Sequence, residues 1–574
     1  MKKKIIRRTA LSAAKFPDLS PLLNRIFTAR GVQNARELEH GLEHLIPFHT
    51  LKNIDRAVEC LYTALAQQHR VVIVGDFDAD GATSSALAVA ALQSFGLQHI
   101  TFLVPNRFEY GYGLTPEIVQ VAAQSHPHWI MTVDNGISSI DGVVAASQLG
   151  IRVLITDHHL PGEQLPDAEV ILNPNQPDDQ FPSKNLAGVG VVFYLMLALR
   201  QRLRQVGWFA EHHLTEPNMA EFLDLVALGT VADLVPFDHN NRILVQQGLR
   251  RIKAGKARLG IQALLKIANR PAQALVASDL AFGIAPRLNA AGRLDDMTVG
   301  INCLLAPDLD TAMQLASSLD NLNKDRKEIE ADMQQQAWLA LEKIAKFHHL
   351  PAGVCLYDPN WHQGVIGILA ARVKEKVHRP VVIFANGQGE ELKGSGRSIP
   401  SLHLRDVLET IAKQNPALIQ KFGGHAMAAG LTIKLSHFPA FCLAFAETVG
   451  QQLSANDLQG HVLSDGELTA EELTLQTATQ LRELVPWGQA FPEPLFDNDF
   501  HIVEQRIVGL RHLKLLLNLS GTEAIFPAIA FNVDLKTWPN YRVEKVRAAY
   551  RLDINEFQGQ KKMQLLVEHL DPVV

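Results

Sequence analysis

Between residues 70 and 173, short apolar runs rich in β-branched residues recur along the chain: VVIV at 71–74, ITFLV at 100–104, WIMTV at 129–133, RVLIT at 152–156 and VIL at 170–172. Continuous rather than alternating apolarity marks strands buried on both faces, the condition of a parallel sheet held between helices. The first four runs are spaced by about 25 residues, which leaves room for the crossover helix that each parallel step requires. The chain is therefore expected to carry an α/β domain with a mostly parallel sheet.

The rest of the chain divides around it. A length of 574 residues predicts several folding units rather than one. A hydrophobic fraction of 47% with 20% charged residues excludes a disordered chain. Residues 221–234 and 243–266 are expected to be helical and to close the first domain. Residues 308–350 contain neither Gly nor Pro, and Leu315, Leu319, Leu322, Arg326, Ile329, Met333, Ala337 and Leu341 fall at helical spacing. That predicts a helix on the order of 50 Å long, a strut between two lobes.

Past the strut, VCLYD at 354–358, a helical stretch over 365–376 and PVVIF at 380–384 predict a second, smaller α/β domain. From about residue 463 the runs alternate in polarity, as in HLKLLLNL and VRAAYRLDINEF, and read as about five antiparallel strands, enough for a closed OB-type β-barrel. The expected organisation is an N-terminal segment over 1–50, a catalytic domain over 51–305, the connecting helix over 306–350, the second α/β domain over 351–455 and the barrel over 456–574.

Composition excludes some functions. Four cysteines without a CxxC pair fit neither a disulfide framework nor a zinc knuckle, so a reducing compartment is expected. The basic opening MKKKIIRRTA is not followed by an apolar core and cleavage site, and the apolar stretch 189–199 is shorter than a membrane span. A cytoplasmic protein without membrane attachment is the expectation. The formal charge of -6 gives no whole-chain argument for a polyanionic partner. Locally the balance differs: residues 239–278 hold no Asp or Glu but carry Arg242, Arg250, Arg251, Lys253, Lys256, Arg258, Lys266 and Arg270.

The chemistry is concentrated at the ends of the apolar runs. VVIVG is followed at once by Asp76-Phe77-Asp78-Ala79-Asp80-Gly81, three carboxylates at alternate positions where open α/β sheets bind ligands. Their mutual repulsion calls for a divalent cation. The third run ends in Asp134-Asn135-Gly136 and the fourth in Asp157-His158-His159, so three strand ends of one sheet deliver carboxylate or imidazole to one edge. An Asp and His set without thiolate suits Mn²⁺ or Mg²⁺.

DFDADGATS at 76–84, VDNG at 133–136, DHH at 157–159 and GTVADLVP at 229–236 together resemble the DHH phosphoesterase superfamily. PNRFEYGYGL at 105–114, PRLNAAGR at 286–293, GVIGILAAR at 364–372, KGSGRS at 393–398 and FGGHAMAAG at 422–430 are similar to the branch of bacterial exonucleases that degrade single-stranded DNA from the 5′ end, with a DHHA1 substrate-binding module in the second lobe. The resemblance implies two divalent ions held by Asp78, Asp80, Asp134, His158 and Asp233, with Asp76 a ligand or its neighbour. It implies that Asp157 orients His158, that His159 faces the scissile phosphate, and that hydrolysis proceeds without a covalent intermediate. Asp80, Asp157 and His159 are the expected catalytic residues. Arg107, Arg293, Ser395, Arg397, Gly424 and His425 are expected to hold DNA, with Gly394, Gly396, Gly423 and Gly424 exposing backbone N–H groups to phosphate.

Polarity from 5′ to 3′, release of 5′ mononucleotides, roles in repair and recombination, a monomeric state, and company with a single-stranded-DNA-binding protein and a RecQ-type helicase also follow from the resemblance. Two departures stand out. Val74 occupies a position where many members of the superfamily place a histidine, and Pro486-Trp487-Gly488-Gln489-Ala490-Phe491-Pro492 lacks a Gly and an Asn of the usual turn. Trp487 is read there as packing rather than stacking on a base.

Overall fold

The computed structural model describes residues 3–106, 109–347, 350–557 and 559–573. After a short strand β1 (Lys4–Arg7), the first lobe is built on five parallel strands, β2 (Val71–Gly75), β3 (Ile100–Leu103), β4 (Trp129–Val133), β5 (Arg152–Thr156) and β6 (Val170–Leu172). Their order is β3-β2-β4-β5-β6, so the chain reverses direction across the sheet beside β2 and opens a crevice between β2 and β4. Every residue of β2 and β4 is buried, as their unbroken apolarity requires. The register aligns Gly75 with Val133 and Val133 with Thr156. Asp76, Asp134 and Asp157 are therefore the next residues beyond one sheet edge.

Helices complete that edge. Helix α1 (Ala79–Ser94) leaves β2 immediately and is buried along most of its length, which its small residues allow. Helices α2 (Gly188–Gln205) and α3 (Leu223–Ala232) pack against it. Two expected boundaries shift. The helix expected over 243–266 is two helices, His239–Lys253 and Leu259–Ile267, because Gly255 between them takes φ +72°. The strut is helix α4 (Leu309–Phe347), about 58 Å long at 1.5 Å per residue.

The second lobe carries β7 (Val354–Tyr357), helix α5 (Ile366–Val377), β8 (Val381–Asn386), β9 (Glu391–Arg397), β10 (Lys421–Gly424), β11 (Ala428–Lys434) and helix α6 (Phe438–Gln452). Its sheet is mixed, in the order β10-β11-β9-β8-β7. In β9, Leu392, Gly394 and Gly396 point inward while Lys393, Ser395 and Arg397 share the opposite face. A Cβ on Gly394 would lie 2.6 Å from side-chain atoms of Leu431 and Phe384, and one on Gly396 would lie 2.7 Å from Leu404. These two glycines are core residues rather than a phosphate nest, which corrects the sequence expectation.

Strand β12 (His461–Ser464) pairs in parallel with β1. The chain then closes a five-stranded barrel from β13 (Phe496–Val508), β14 (His512–Leu519), β15 (Ile525–Ala530), β16 (Lys545–Phe557) and β17 (Gln560–Pro572), in the order β13-β14-β15-β17-β16. Trp487 packs between protein groups: its ring stacks on Phe491 at 5.3 Å and Phe27 at 6.2 Å, and its Nε1 donates to the Leu481 carbonyl at 2.7 Å. Among the described residues no helix is long and apolar enough to cross a membrane.

Candidate active site

The edge formed by β2, β4 and β5 gathers the sequence-predicted carboxylates and imidazoles. Asp78 caps helix α1, its Oδ1 accepting from the backbone N–H groups of Asp80 at 2.9 Å and Gly81 at 3.0 Å. Asp80, one residue into the first turn and 1% exposed, accepts from the N–H groups of Gly188 at 2.6 Å and Val189 at 3.0 Å at the start of α2. A helix N-terminus thus steadies a buried carboxylate. Gly188 and Gly229 make this approach possible. A Cβ on the first would lie 2.6 Å from Asp134, and on the second 2.7 Å from Asp80 Oδ1.

Asp134 is 2% exposed and held at φ +62°, a backbone state non-glycine residues seldom adopt. Its Oδ1 lies 3.1 Å from His158 Nε2, which is 3.5 Å from Asp233 Oδ2 at the end of α3. Among the described residues neither Asp134 Oδ1 nor His158 Nε2 makes a hydrogen bond, their 3.1 Å approach included, although both atoms are buried. Burial takes the His158 ring down to about 3, so it is neutral. Ligand atoms of Asp80, His158 and Asp233, of Asp134, His158 and His159, and of Asp76, Asp78 and Asp134 each lie within 4.8 Å of one another. Orphaned buried atoms in an oxygen-rich, thiolate-free set fit a hard divalent cation with one imidazole ligand. Val74, at the position where many members of the superfamily place a histidine, is fully buried in the sheet.

Asp157 does not orient His158 through its ring, as the sequence reading expected. Its Oδ1 instead contacts His159 Nδ1 at 2.7 Å and accepts from the backbone N–H groups of His158 and His159, while Oδ2 accepts from Ile137. Burial alone would raise Asp157, but the His159 contact overrides it and takes the carboxyl down to about 2. Burial likewise opposes charge on His159, yet the Asp157 hydrogen bond and charge push the ring up to about 9. His159 is therefore a cation at neutral pH, and it stacks on His425 of the second lobe at 6.3 Å.

Tyr112 is a site residue that the sequence reading missed. Its hydroxyl lies 3.5 Å from the His159 ring nitrogens and donates to the Asp134 carbonyl at 3.3 Å, while its ring meets Phe77 edge-on. It lies in the segment PNRFEYGYGL, from which only Arg107 was singled out. Arg107 lies outside the described residues.

The second lobe holds most of the remaining polar groups. Arg293 Nη1 donates to the Gly364 carbonyl at 3.1 Å, tying the first lobe to the loop before α5. Arg397 Nη1 lies 3.2 Å from Ser395 Oγ, and both side chains reach Gly367 in the first turn of α5. Gly424 takes φ +135° just before His425. Three arginines of the acid-free stretch are engaged by protein groups. Arg242 is buried against the carbonyls of Phe237 and Glu37, Arg258 lies 3.9 Å from Asp224, and Arg270 lies 3.5 Å from Asp279.

Burial, then like charge, drives three of the carboxyls upward: Asp80 to about 7, and Asp134 and Asp233 well above the ordinary carboxyl range. Metal-free protein therefore keeps protons here that the unfolded chain has released. A raised folded value contributes stability that is lost as pH rises through it. In EDTA the melting temperature is expected to fall as pH rises from about 4, where the unfolded carboxyls ionise, to about 7 and beyond, a loss of a few kcal/mol, and saturating Mn²⁺ is expected to raise it and flatten the slope. Calorimetry with and without the metal checks this; a rise in stability with pH in EDTA would contradict it.

Strand ends that deliver aspartates and a DHH triplet to one cation-shaped edge are the mark of DHH phosphoesterases. Residues 70–230 match the model of the DHH family N-terminal domain, residues 350–451 that of the DHHA1 domain and residues 464–569 that of the RecJ OB domain. The single-stranded-DNA-specific exonuclease RecJ of Dickeya dadantii is 56% identical over 570 residues, 99% of either chain, and that of Escherichia coli K12 is 53% identical over 569 residues, again 99% of either. The crystal structure of Thermus thermophilus RecJ in complex with Mn²⁺ superposes with a TM-score of 0.80 at 29% identity, covering 97% of this chain and 76% of that one. A second structure of that protein holds Mg²⁺. The chain belongs to the RecJ family.

Proposed function

We propose that this protein is a metal-dependent exodeoxyribonuclease that hydrolyses single-stranded DNA from its 5′ end and releases 5′ mononucleotides, in DNA repair and recombination, including mismatch repair. The observation that carries the reading is the pairing of a buried, cation-shaped Asp and His cluster on one lobe with Ser395, Arg397 and a helix N-terminus on the other. One side suits cleavage of a phosphodiester and the other suits capture of a terminal phosphate.

In this reading Asp76, Asp78, Asp80, Asp134, His158 and Asp233 hold Mn²⁺ or Mg²⁺. Divalent ions bound there supply polarisation of a phosphate oxygen and acidification of water. The chain's own groups do the rest. Asp157 fixes the His159 ring through Nδ1 and keeps it protonated, which leaves the Nε2–H to donate to a nonbridging oxygen as its charge grows. Asp80, anchored by two backbone donors, keeps its carboxylate aimed without rearrangement. Arg293, Arg397, Ser395, Arg107, the backbone at Gly424 and His425 position the strand, and Tyr112 flanks the reacting phosphate.

The terminal barrel supports a polymeric rather than a small substrate, since OB barrels commonly track single strands. A single-stranded-DNA-binding protein and a RecQ-type helicase are the partners this reading implies, for a monomer working in the cytoplasm. End dependence is its most exposed element. With Mn²⁺, linear single strands are expected to be degraded completely while a circular single strand of the same sequence survives. Rapid nicking of the circle would refute it.

A further inference from the structure

Cys355 and Cys442 face each other in the second lobe, on elements packed in matching register. Strand β7 alternates: Val354 and Leu356 turn toward the core beside α5, while Cys355 and Tyr357 turn toward α6. Two contacts bracket the cysteines. The Tyr357 ring lies 5.5 Å from that of Phe438, at the start of α6, and a Cβ on Gly353 would lie 2.8 Å from the Phe445 ring, which therefore packs directly on the chain before β7. Moving two residues along the strand covers about 6.6 Å and one turn along the helix about 5.4 Å, so the position between those contacts sets Cys355 opposite Cys442. The two thiols are close enough for each to shift the acidity of the other. Both residues are free cysteines of intermediate exposure, and β7 is an edge strand held by β8 on one side only, which leaves it room to adjust.

We propose that Cys355 and Cys442 form a reversible disulfide when the protein meets a peroxide, a covalent modification site that ties β7 to α6. The neighbouring Cys355 thiol lowers the Cys442 thiol from its ordinary value, whereas burial raises Cys355 and Cys60 and pushes Cys303 up to about 12. Cys442 is thus the more acidic thiol of the pair, and its thiolate form reacts first. Its sulfur attacks one peroxide oxygen, the O–O bond breaks, and the departing oxygen takes a proton and leaves as water, or as alcohol from an organic peroxide. The Cys442 sulfenic acid so formed is attacked by the Cys355 sulfur; the S–S bond forms, the S–O bond breaks, and the hydroxide leaves with the Cys355 proton as a further water. Two thiols lose two electrons and two protons, and the peroxide is reduced.

The test uses the full chain, treated with hydrogen peroxide, alkylated and digested without reductant, with mass spectrometry of the products. The expected result is a linked pair of peptides containing Cys355 and Cys442, two hydrogens lighter than their sum and separated again by dithiothreitol. Cys442→Ser removes the link, Cys60→Ser leaves it intact, and both reduced variants keep exonuclease activity. Four alkylatable cysteines in the treated native protein would overturn the proposal. So would Cys442 carried to sulfinic acid while Cys355 stays alkylatable.

Discussion

Asp134→Asn is expected to remove nuclease activity by about a thousandfold or more while leaving metal-free protein at least as stable as the native chain. The two halves of this result follow from one environment. Asp134 is buried, its Oδ1 makes no hydrogen bond among the described residues, and burial followed by the charges of Asp80, Asp78, Asp76 and Asp233 drives its carboxyl far upward. In the absence of a cation the charge is a liability to the fold. An amide of the same shape removes that liability, and Asn is among the residues that best tolerate the φ of +62° at this position. The same change removes a ligand common to two of the three candidate metal triads. Stabilisation by Mn²⁺ should therefore shrink sharply. Asp80→Asn is a poorer probe, because both Asp80 oxygens accept backbone N–H groups and an amide nitrogen would face one of those donors. Steady-state rates on linear single strands, with melting curves in EDTA and in Mn²⁺, check the prediction. Loss of activity together with loss of the metal-free fold would contradict it.

His159→Gln is expected to lower kcat by about a hundredfold, the scale for losing one oriented charged donor to a developing oxyanion. The fold should tolerate the change. Asp157 keeps backbone donors from His158, His159 and Ile137 after its ring partner is gone. Because His159 is read as facing the phosphate while His158 faces Asp134 and Asp233, stabilisation by Mn²⁺ should survive in His159→Gln and disappear in His158→Gln. A His159 variant that no longer responds to Mn²⁺, with rates restored at high metal concentration, would make that residue a ligand instead.

What the sequence made legible follows from what local physics determines. Strands β2, β4, β5 and β6 were readable because they are buried almost throughout, while β3 at the sheet edge is only partly buried, and the ligands that follow were readable because pairing register carries Gly75, Val133 and Thr156 to one edge. Adjacency could not say which ring of the His158-His159 pair turns back onto Asp157, since that depends on the loop leaving β5. Tyr112 was missed for a similar reason: it sits in an aperiodic loop, and only the folded loop brings its hydroxyl to His159. In KGSGRS the glycines suggested a phosphate nest, but the alternation of a strand turns them into the core and leaves Ser395 and Arg397 on the outer face. The basic run over 239–278 could not show its own partners, such as the Glu37 carbonyl and the Asp224 carboxylate, because they lie far away in the chain.

The most direct test is digestion of one oligonucleotide carrying a label at its 5′ end or at its 3′ end, as a single strand and as a blunt duplex, with Mn²⁺, with Mg²⁺ and with EDTA. The predicted result is immediate release of the 5′ label as a mononucleotide, gradual shortening of the 3′-labelled strand, an intact duplex, and no reaction in EDTA. Release of the 3′ label first, cleavage of the duplex at the same rate, or activity that survives removal of divalent metal would contradict it.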